Sequence, residues 1–236
     1  MASQITLETP SGPMPAVLSQ RGAARGGIVV IQEAFGLTSH IHDICDRLAE
    51  AGYTAIAPAL FHRQGSPVFS YDDYQATTSV MQTLKADEIS SDVSIALEYL
   101  KSQRLSEKQC GIVGFCMGGT VAFTVAVEKA LGAAATFYGG GISKGRFGFS
   151  PLLDIADKLQ TSWIGFYGDQ DQSIPIQDVE KLRTKVETAH VPTEIVRYPD
   201  AGHGFNCNDR SSYHELSAKD AWERMLNWFT KYIGVD

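Results

Sequence analysis

Cysteine is sparse in this chain and is never arranged in a pair. Four occur in 236 residues, Cys45, Cys110, Cys116 and Cys207, with no C-x-x-C spacing. That pattern reads as reduced thiols in a cytoplasmic protein. No apolar run approaches the ~18 residues that a membrane span needs. The opening residues, Met-Ala-Ser-Gln-Ile-Thr-Leu-Glu-Thr-Pro, show neither the basic nor the apolar region of a signal peptide. Positive charge is also short. Lys and Arg number 20 against 27 Asp and Glu, for a net charge of −7 and a pI of about 5.4. With no basic stretch, nucleic acid and anionic membranes are not expected partners. No repeat, low-complexity tract or Pro/Gly-rich linker divides the chain. The composition, 44% hydrophobic and 20% charged, predicts one α/β domain over residues 1–236 with a sizeable core.

What is present is an alternation of strand-like and helix-like segments. Residues 5–8 and 16–19 flank the turn sequence Thr9-Pro-Ser-Gly-Pro13 and predict an N-terminal antiparallel hairpin. Residues 27–32 form a β-branched run of the kind a buried parallel strand carries. Residues 40–51 put Ile41, Ile44, Cys45 and Leu48 on one helical face, with Gly52 as the stop. A strand is predicted at 53–57, then an irregular stretch over 59–71, a weak helical pattern over 72–84 and a strong one over 87–102. Further strands fall at 111–115, 133–138, 163–167 and 193–198, and further helices at 120–131, 176–189 and 213–233. The alternation predicts a mostly parallel twisted sheet with helices on both faces. Ligands bind such sheets just beyond the carboxyl ends of the strands. Glu33, Cys116, Asp169, Asp171 and His203 all fall there.

The run at 111–115 leads into Gly114-Phe115-Cys116-Met117-Gly118, the nucleophile-elbow pattern G-x-S-x-G with cysteine in the serine position. A nucleophile on a sharp strand-to-helix turn projects clear of the backbone. The residues two before and two after it must be small, because strand and helix nearly collide there. The following helix aims its first N–H groups and its dipole at the sulfur, which favours the thiolate. The N–H of Met117 is then placed to stabilise an oxyanion. A buried cysteine in a tight packing turn would carry the same five residues, so the motif needs partners.

A thiol nucleophile requires a base within hydrogen-bond reach, and the base requires an orienting carboxylate. On an elbow of this kind the chain order is nucleophile, acid, histidine. Cys116, Asp171 and His203 supply that order, and His203 lies between Gly202 and Gly204 on a loop that can reach over the elbow. Two aspartates compete for the acid. Asp171 fits the loop pattern G-x-x-D-x-x-[V/I]-P from Gly168 to Pro175 and is preferred; Asp169 is then a solvated loop acid or turn former.

Five segments together resemble the dienelactone hydrolase (carboxymethylenebutenolidase) family. They are Gln32-Glu-Ala-Phe-Gly-Leu37, Gly114-Phe-Cys-Met-Gly-Gly119, Phe137-Tyr-Gly-Gly-Gly141, Gly168-Asp-Gln-Asp-Gln-Ser-Ile-Pro175 and Ala201-Gly-His-Gly-Phe205. The likeness runs from about residue 5 to about 233. It implies an α/β-hydrolase fold, no metal or organic cofactor, and cleavage of a small lactone or ester through an acyl-cysteine. It implies that Glu33 is hydrogen-bonded to Cys116 at rest and takes its proton when substrate enters. The second oxyanion donor would be the N–H of Ala34. A carboxylate beside a thiol disfavours the thiolate, so the resting Cys116 is expected to be neutral. Alternatively, Glu33 is a structural acid bonded to loop amides.

The resemblance also carries a departure. Enzymes of the family clamp a substrate carboxylate with two arginines. The position four past the histidine is Cys207 here, and no arginine occurs between Arg63 and Arg104. The expectation is a pocket shaped by Phe35, Tyr138 and Phe205 rather than by charge, unless Arg210 or Arg63 swings in. His40-x-His42 lacks further donors for a metal site, and Cys45 and Cys110 read as inert core thiols. The rival functions are a broad carboxylesterase on the same residues, a binding protein that does not turn over, and a thiol peroxidase or redox sensor. The last lacks an obvious resolving cysteine. The partner expected is a small lactone or ester, and the protein is read as a monomer or homodimer.

Overall fold

The computed structural model describes residues 2–234. The chain begins with β1 (Ser3–Thr9) and β2 (Gly12–Ser19), an antiparallel hairpin. It turns at Pro10 and Ser11, where Gly12 adopts φ 104° and Thr9 Oγ1 donates to the Gly12 carbonyl at 2.7 Å. So tight a turn leaves both strands longer than their apolar runs. Then follow β3 (Gly26–Ile31), α1 (Ser39–Glu50), β4 (Tyr53–Pro58), α2 (Tyr74–Met81), α3 (Ala86–Ser102), β5 (Cys110–Phe115) and α4 (Met117–Glu128). The remainder is β6 (Ala133–Phe137), α5 (Leu152–Ile155), β7 (Ser162–Gly168), α6 (Ile176–Val186), β8 (Thr193–Tyr198) and α7 (Glu215–Tyr232).

The eight strands form one sheet in the order β1-β2-β4-β3-β5-β6-β7-β8. β2 meets β4 antiparallel, and every pairing from β4 to β8 is parallel. Every residue of β3, β4, β5 and β6 is buried, which is why those segments read as unbroken apolar runs. Helices cover both faces. His40 of α1 packs edge-on against Phe115, while the neighbouring Gly114 faces the first turn of α4. Successive strand residues point to opposite faces, so α1 and α4 lie on opposite sides. Arg47 of α1 stacks over Trp222 of α7 at 3.8 Å, which puts α7 beside α1. This is the α/β-hydrolase arrangement with an N-terminal antiparallel hairpin.

Several elements depart from the bounds expected of them, α6 among them, which ends at Val186 rather than at residue 189. α4 begins at Met117 rather than at residue 120. Gly118 and Gly119 are poor helix formers, but here they are contact points. A Cβ on Gly118 would lie 2.4 Å from the Ile31 carbonyl oxygen, and one on Gly119 2.8 Å from the Gly139 Cα. α2 is shorter than 72–84 because Asp73 caps its start, accepting from the Ala76 N–H at 3.1 Å. α5, with four residues, is too short for periodicity to reveal.

The irregular stretch after β4 is pinned by a buried charge. Asp92 of α3 is fully buried and accepts from Arg63 Nη1 at 2.6 Å and Nη2 at 3.0 Å. His62 Nε2 lies 3.2 Å from the same carboxylate. Arg63 is therefore occupied at α3 and does not swing toward the end of the sheet.

The packing at Gly114 is testable. A Cβ there would lie 1.8 Å from the Gly118 carbonyl oxygen. Gly114→Ala is expected to cost at least ~1–3 kcal/mol, the usual penalty for overpacking, and so to lower Tm by about 2–4 °C per kcal/mol in a chain of this size. A variant that melts within a degree of the parent would contradict this packing.

Candidate active site

β5 delivers Cys116 into a conformation most side chains avoid, φ 54° and ψ −113°. The strain is held by hydrogen bonds on both sides. The Cys116 N–H donates to the Phe137 carbonyl at 3.0 Å, and its carbonyl accepts from Gly119 N–H at 3.1 Å. Because Gly118 sits directly on the end of β3, Glu33 and Ala34 come next to the elbow. The Ala34 N–H has no hydrogen-bond partner among the described residues. Met117 opens α4, and the first N–H groups of a helix have no acceptor inside it.

A second close approach joins acid and base. A Cβ on Gly168 would lie 2.2 Å from the Ala201 carbonyl oxygen, so the loops after β7 and β8 run together. Asp169 N–H donates to Tyr198 O and Gln170 N–H to Ala201 O, both at 2.9 Å. Asp171 Oδ2 then lies 2.6 Å from His203 Nδ1. Its other oxygen, Oδ1, accepts from the Ser173 N–H at 2.8 Å and the Ser173 hydroxyl at 2.6 Å. Burial pushes the Asp171 carboxyl up, but the His203 hydrogen bond and charge, with Ser173, hold it below its usual value. An ionised carboxylate only accepts, so Nδ1 carries the proton and Nε2 is left for the sulfur. Asp169 points away: Arg197 grips both its oxygens at 2.7 Å.

The sulfur and the imidazole shift each other. Burial raises the Cys116 thiol, but the charge of His203 and a hydrogen bond to it bring the thiol below its usual 9.0. For His203, burial opposes protonation, yet the Cys116 thiolate and Asp171 raise it to about 10. Both shifts run in the direction that favours a thiolate–imidazolium pair, against the neutral thiol that Glu33 by itself would favour. Glu33 still pushes the thiol upward, as a carboxylate must, and is outweighed.

Glu33 is fully buried and is bonded elsewhere. Its Oε1 accepts from Arg210 Nη1 at 3.3 Å, and no hydrogen bond to Cys116 forms. Burial raises its carboxyl, with Arg210 the chief opposing charge. The expected Glu33–Cys116 bond is lost because Arg210 reaches in over Gly204. A Cβ on that glycine, at φ 79°, would lie 2.3 Å from Arg210 Nη1. The guanidinium also lies over the rings of Phe35 and Tyr71, at 5.4 and 5.9 Å.

Phe35, Tyr138 and Phe205 do not form the pocket surface. They are 3%, 0% and 0% exposed and make a layer beneath it, with the Tyr138 ring 5.1 Å from His203 and 5.4 Å from Phe205. Two cavities meet at His203 and Ser173. One, of about 450 Å³, is lined by Cys116, Arg146, Ile174 and Asp178 among others. The other, of about 760 Å³, is lined by Tyr71, Tyr74, Asp171 and Arg210 among others. Arg146 and Ser173 were missed as site residues. Ser173 lies in the loop after β7, within the segment that carries Asp171, whereas Arg146 is nine residues beyond β6 and is brought to the site only by the fold. The described residues hold no cluster of three His, Cys, Asp or Glu side chains suited to a metal, and no helix among them is long and apolar enough to cross a membrane.

Known proteins match along nearly the whole chain. The family model described as "Dienelactone hydrolase family" matches residues 14–233. A Salmonella typhimurium protein described as "Putative carboxymethylenebutenolidase" is 40% identical over 231 residues, 94% of this chain and 84% of that one. A Pseudomonas putida "Carboxymethylenebutenolidase" is 28% identical over 205 residues, covering 85% of this chain and 84% of its own. A Klebsiella pneumoniae crystal structure, described as a "Putative Dienelactone Hydrolase", superposes with a TM-score of 0.87. It is 36% identical and covers 98% of this chain and 99% of its own.

The four thiols differ in a way labelling can read. All are buried, and burial pushes Cys45 far up and Cys110 and Cys207 to about 11, whereas Cys116 is lowered. Iodoacetamide at pH 7 is expected to label Cys116 at least about tenfold faster than the other three, since the thiolate is the reactive form. Peptide mass spectrometry that finds another cysteine labelled first would overturn the assignment.

Proposed function

The chain belongs to the dienelactone hydrolase family, hydrolases of lactones and esters, and on that premise we propose that it cleaves a small lactone or ester through an acyl-cysteine. The observation that carries the reading is Asp171 Oδ2 at 2.6 Å from His203 Nδ1, with that imidazole and a thiol on a strained elbow lining one cavity. The Cys116 thiolate attacks the carbonyl carbon. The carbonyl electron pair moves onto oxygen, where the N–H groups of Ala34 and Met117 are available as donors. Collapse of this intermediate breaks the C–O bond, and the alkoxide takes the proton from His203 Nε2. In a lactone the alcohol so formed stays tethered to the acyl group. His203, now neutral, removes a proton from water, which attacks the thioester and releases the acid and the thiolate. Glu33 anchors Arg210 in this scheme and is not the base.

A chromogenic 4-nitrophenyl ester tests the reading. Wild type should turn it over and, on rapid quenching, show an acyl adduct on Cys116 by intact mass. Cys116→Ala should show neither, and turnover that survives this substitution would sink the acyl-cysteine.

The acid assignment has its own test. Asp171→Asn should lower kcat by ~10⁴-fold, the scale of loss when the imidazole tautomer is wrong. Asp169→Asn breaks a contact to Arg197 at the surface and should leave kcat within about threefold. The reverse ranking would move the acid role to Asp169.

The ion pair sets the pH profile. The active form needs an ionised thiol, available below its usual 9.0, and a protonated imidazole, kept up to about pH 10. kcat/KM for a neutral ester should therefore climb on the acid side, level off, and fall as His203 loses its proton near pH 10. A single ascending limb centred near 9, with no alkaline fall, would contradict the pair.

A further inference from the structure

The two cavities that meet at His203 divide an ester between them. Cys116 lines the smaller and not the larger, whereas His203 lines both. The acyl group stays on the sulfur and so belongs to the smaller lobe, whose wall includes Ile142, Ile174 and Pro175. The departing alkoxide takes its proton from the imidazole, so the alcohol belongs beyond His203, in the larger lobe. At about 760 Å³ that lobe falls within the ~300–1,000 Å³ of small-molecule sites.

The chemistry of the larger lobe narrows what the alcohol can be. No aliphatic side chain is among the residues that line it, so a hydrocarbon chain finds no apolar wall there. An anion is also poorly served. Arg210 Nη1 is committed to Glu33 at 3.3 Å, and His203 Nδ1 to Asp171 at 2.6 Å. Asp72 and Asp209 add two carboxylates, neither with a cation in ion-pair distance among the described residues. Asp72 accepts from the Ser70 hydroxyl, and Asp209 from the Ser39 hydroxyl at 2.9 Å, which leaves each an oxygen for a further donor. A cationic alcohol would face the Arg210 guanidinium across the same lobe, and like charges repel there. Gln172 spends one N–H on Gln170 O at 3.3 Å and keeps its carbonyl and second N–H. Tyr74, the first residue of α2, is 61% exposed, with its ring edge-on to Phe35 at 6.2 Å. An exposed tyrosine presents an apolar face beside polar groups. The combination suits a ring with C–H bonds on its face and hydroxyls around its edge.

We propose that the larger lobe is a leaving-group subsite for a polyhydroxylated alcohol, with Tyr74 as the plate under its ring and Gln172, Asp72 and Asp209 bonding its hydroxyls. The substrate class is thus an ester between a small acyl group and one hydroxyl of a cyclic polyol such as a sugar. This inference rests on the hydrolase reading above, and its test separates the two.

The probes are anhydroglucitol carrying a butanoyl group on its primary hydroxyl, and the butanoate of tetrahydropyranylmethanol. They share the acyl group and the ring, and differ only in the ring hydroxyls. Both leave the same acyl-enzyme, so the ratio of their kcat/KM values reports the alcohol side alone. The ratio should favour the glucitol ester by at least about tenfold, the scale of one or two hydrogen bonds. Tyr74→Ala should bring it close to one, and Tyr74→Phe, which keeps the plate, should retain most of it. Calorimetry with Cys116→Ala, which removes turnover, should show the same preference in binding and the same loss on adding Tyr74→Ala. Equal values for the two esters in either measurement overturn the subsite. So does a preference that survives Tyr74→Ala, or faster cleavage of butanoylcholine, whose alcohol is a cation, than of the glucitol ester. If the intact protein hydrolyses neither ester while the binding preference and its loss on Tyr74→Ala are both seen, the subsite stands and the hydrolytic reading falls.

Discussion

The first turn of α4 lies against the ends of three strands with almost no side chain between the backbones. Gly114 meets Gly118, Gly118 meets Ile31 and Gln32 at the end of β3, and Gly119 meets Gly139 just past β6. Interiors are close-packed, so these contacts leave the elbow little freedom. Cys116 is forced to φ 54°, the loop carrying Glu33 and Ala34 is drawn beside it, and the glycine run after β6 becomes the neighbouring wall. A second glycine contact, Gly168 on Ala201, does the same for the loops that hold Asp171 and His203. The site is assembled by backbone approach, and side chains then occupy the positions left open.

Electrostatics completes the arrangement through a chain of partners. Ser173 holds one oxygen of Asp171, which turns the other to His203. Asp171 and Cys116 raise the imidazole against the cost of burial, and the charge of His203 in turn lowers the thiol. Glu33 would oppose the thiolate if left alone, since like charges in a poorly screened site repel. Arg210 answers Glu33 and so limits that effect. Arg146 contributes positive potential from the other side, with no carboxylate in ion-pair distance among the described residues.

Much of this was legible from residue pattern. The alternation of runs predicts the parallel sheet because strands buried on both faces carry few polar residues. The spacing Gly114-x-Cys116-x-Gly118 predicts the elbow because only glycine tolerates that proximity. The offset of Asp171 from Gly168 separates it from Asp169, which the fold turns toward Arg197. Less legible were features without a local period. α4 starts three residues before the pattern suggests, since a helix propensity scale counts Gly118 and Gly119 as breakers while the packing requires them. The aromatic residues Phe35, Tyr138 and Phe205 cluster at the strand ends as expected, but whether a ring lines a cavity or supports its floor depends on what covers it.

By itself the sequence determined the order of elements, the elbow and the residues able to serve as nucleophile, base and acid. These follow from nearest-neighbour chemistry: burial patterns, glycine at close contacts, and donors just beyond strand ends. The partners of the charged groups were decided only by the tertiary structure. Arg63 could have reached the site and is instead bonded to Asp92; Glu33 could have held the thiol and instead accepts from Arg210. A long side chain sweeps a large volume and pairs with whichever opposite charge the fold brings nearest, so its partner depends on distances between segments remote in sequence.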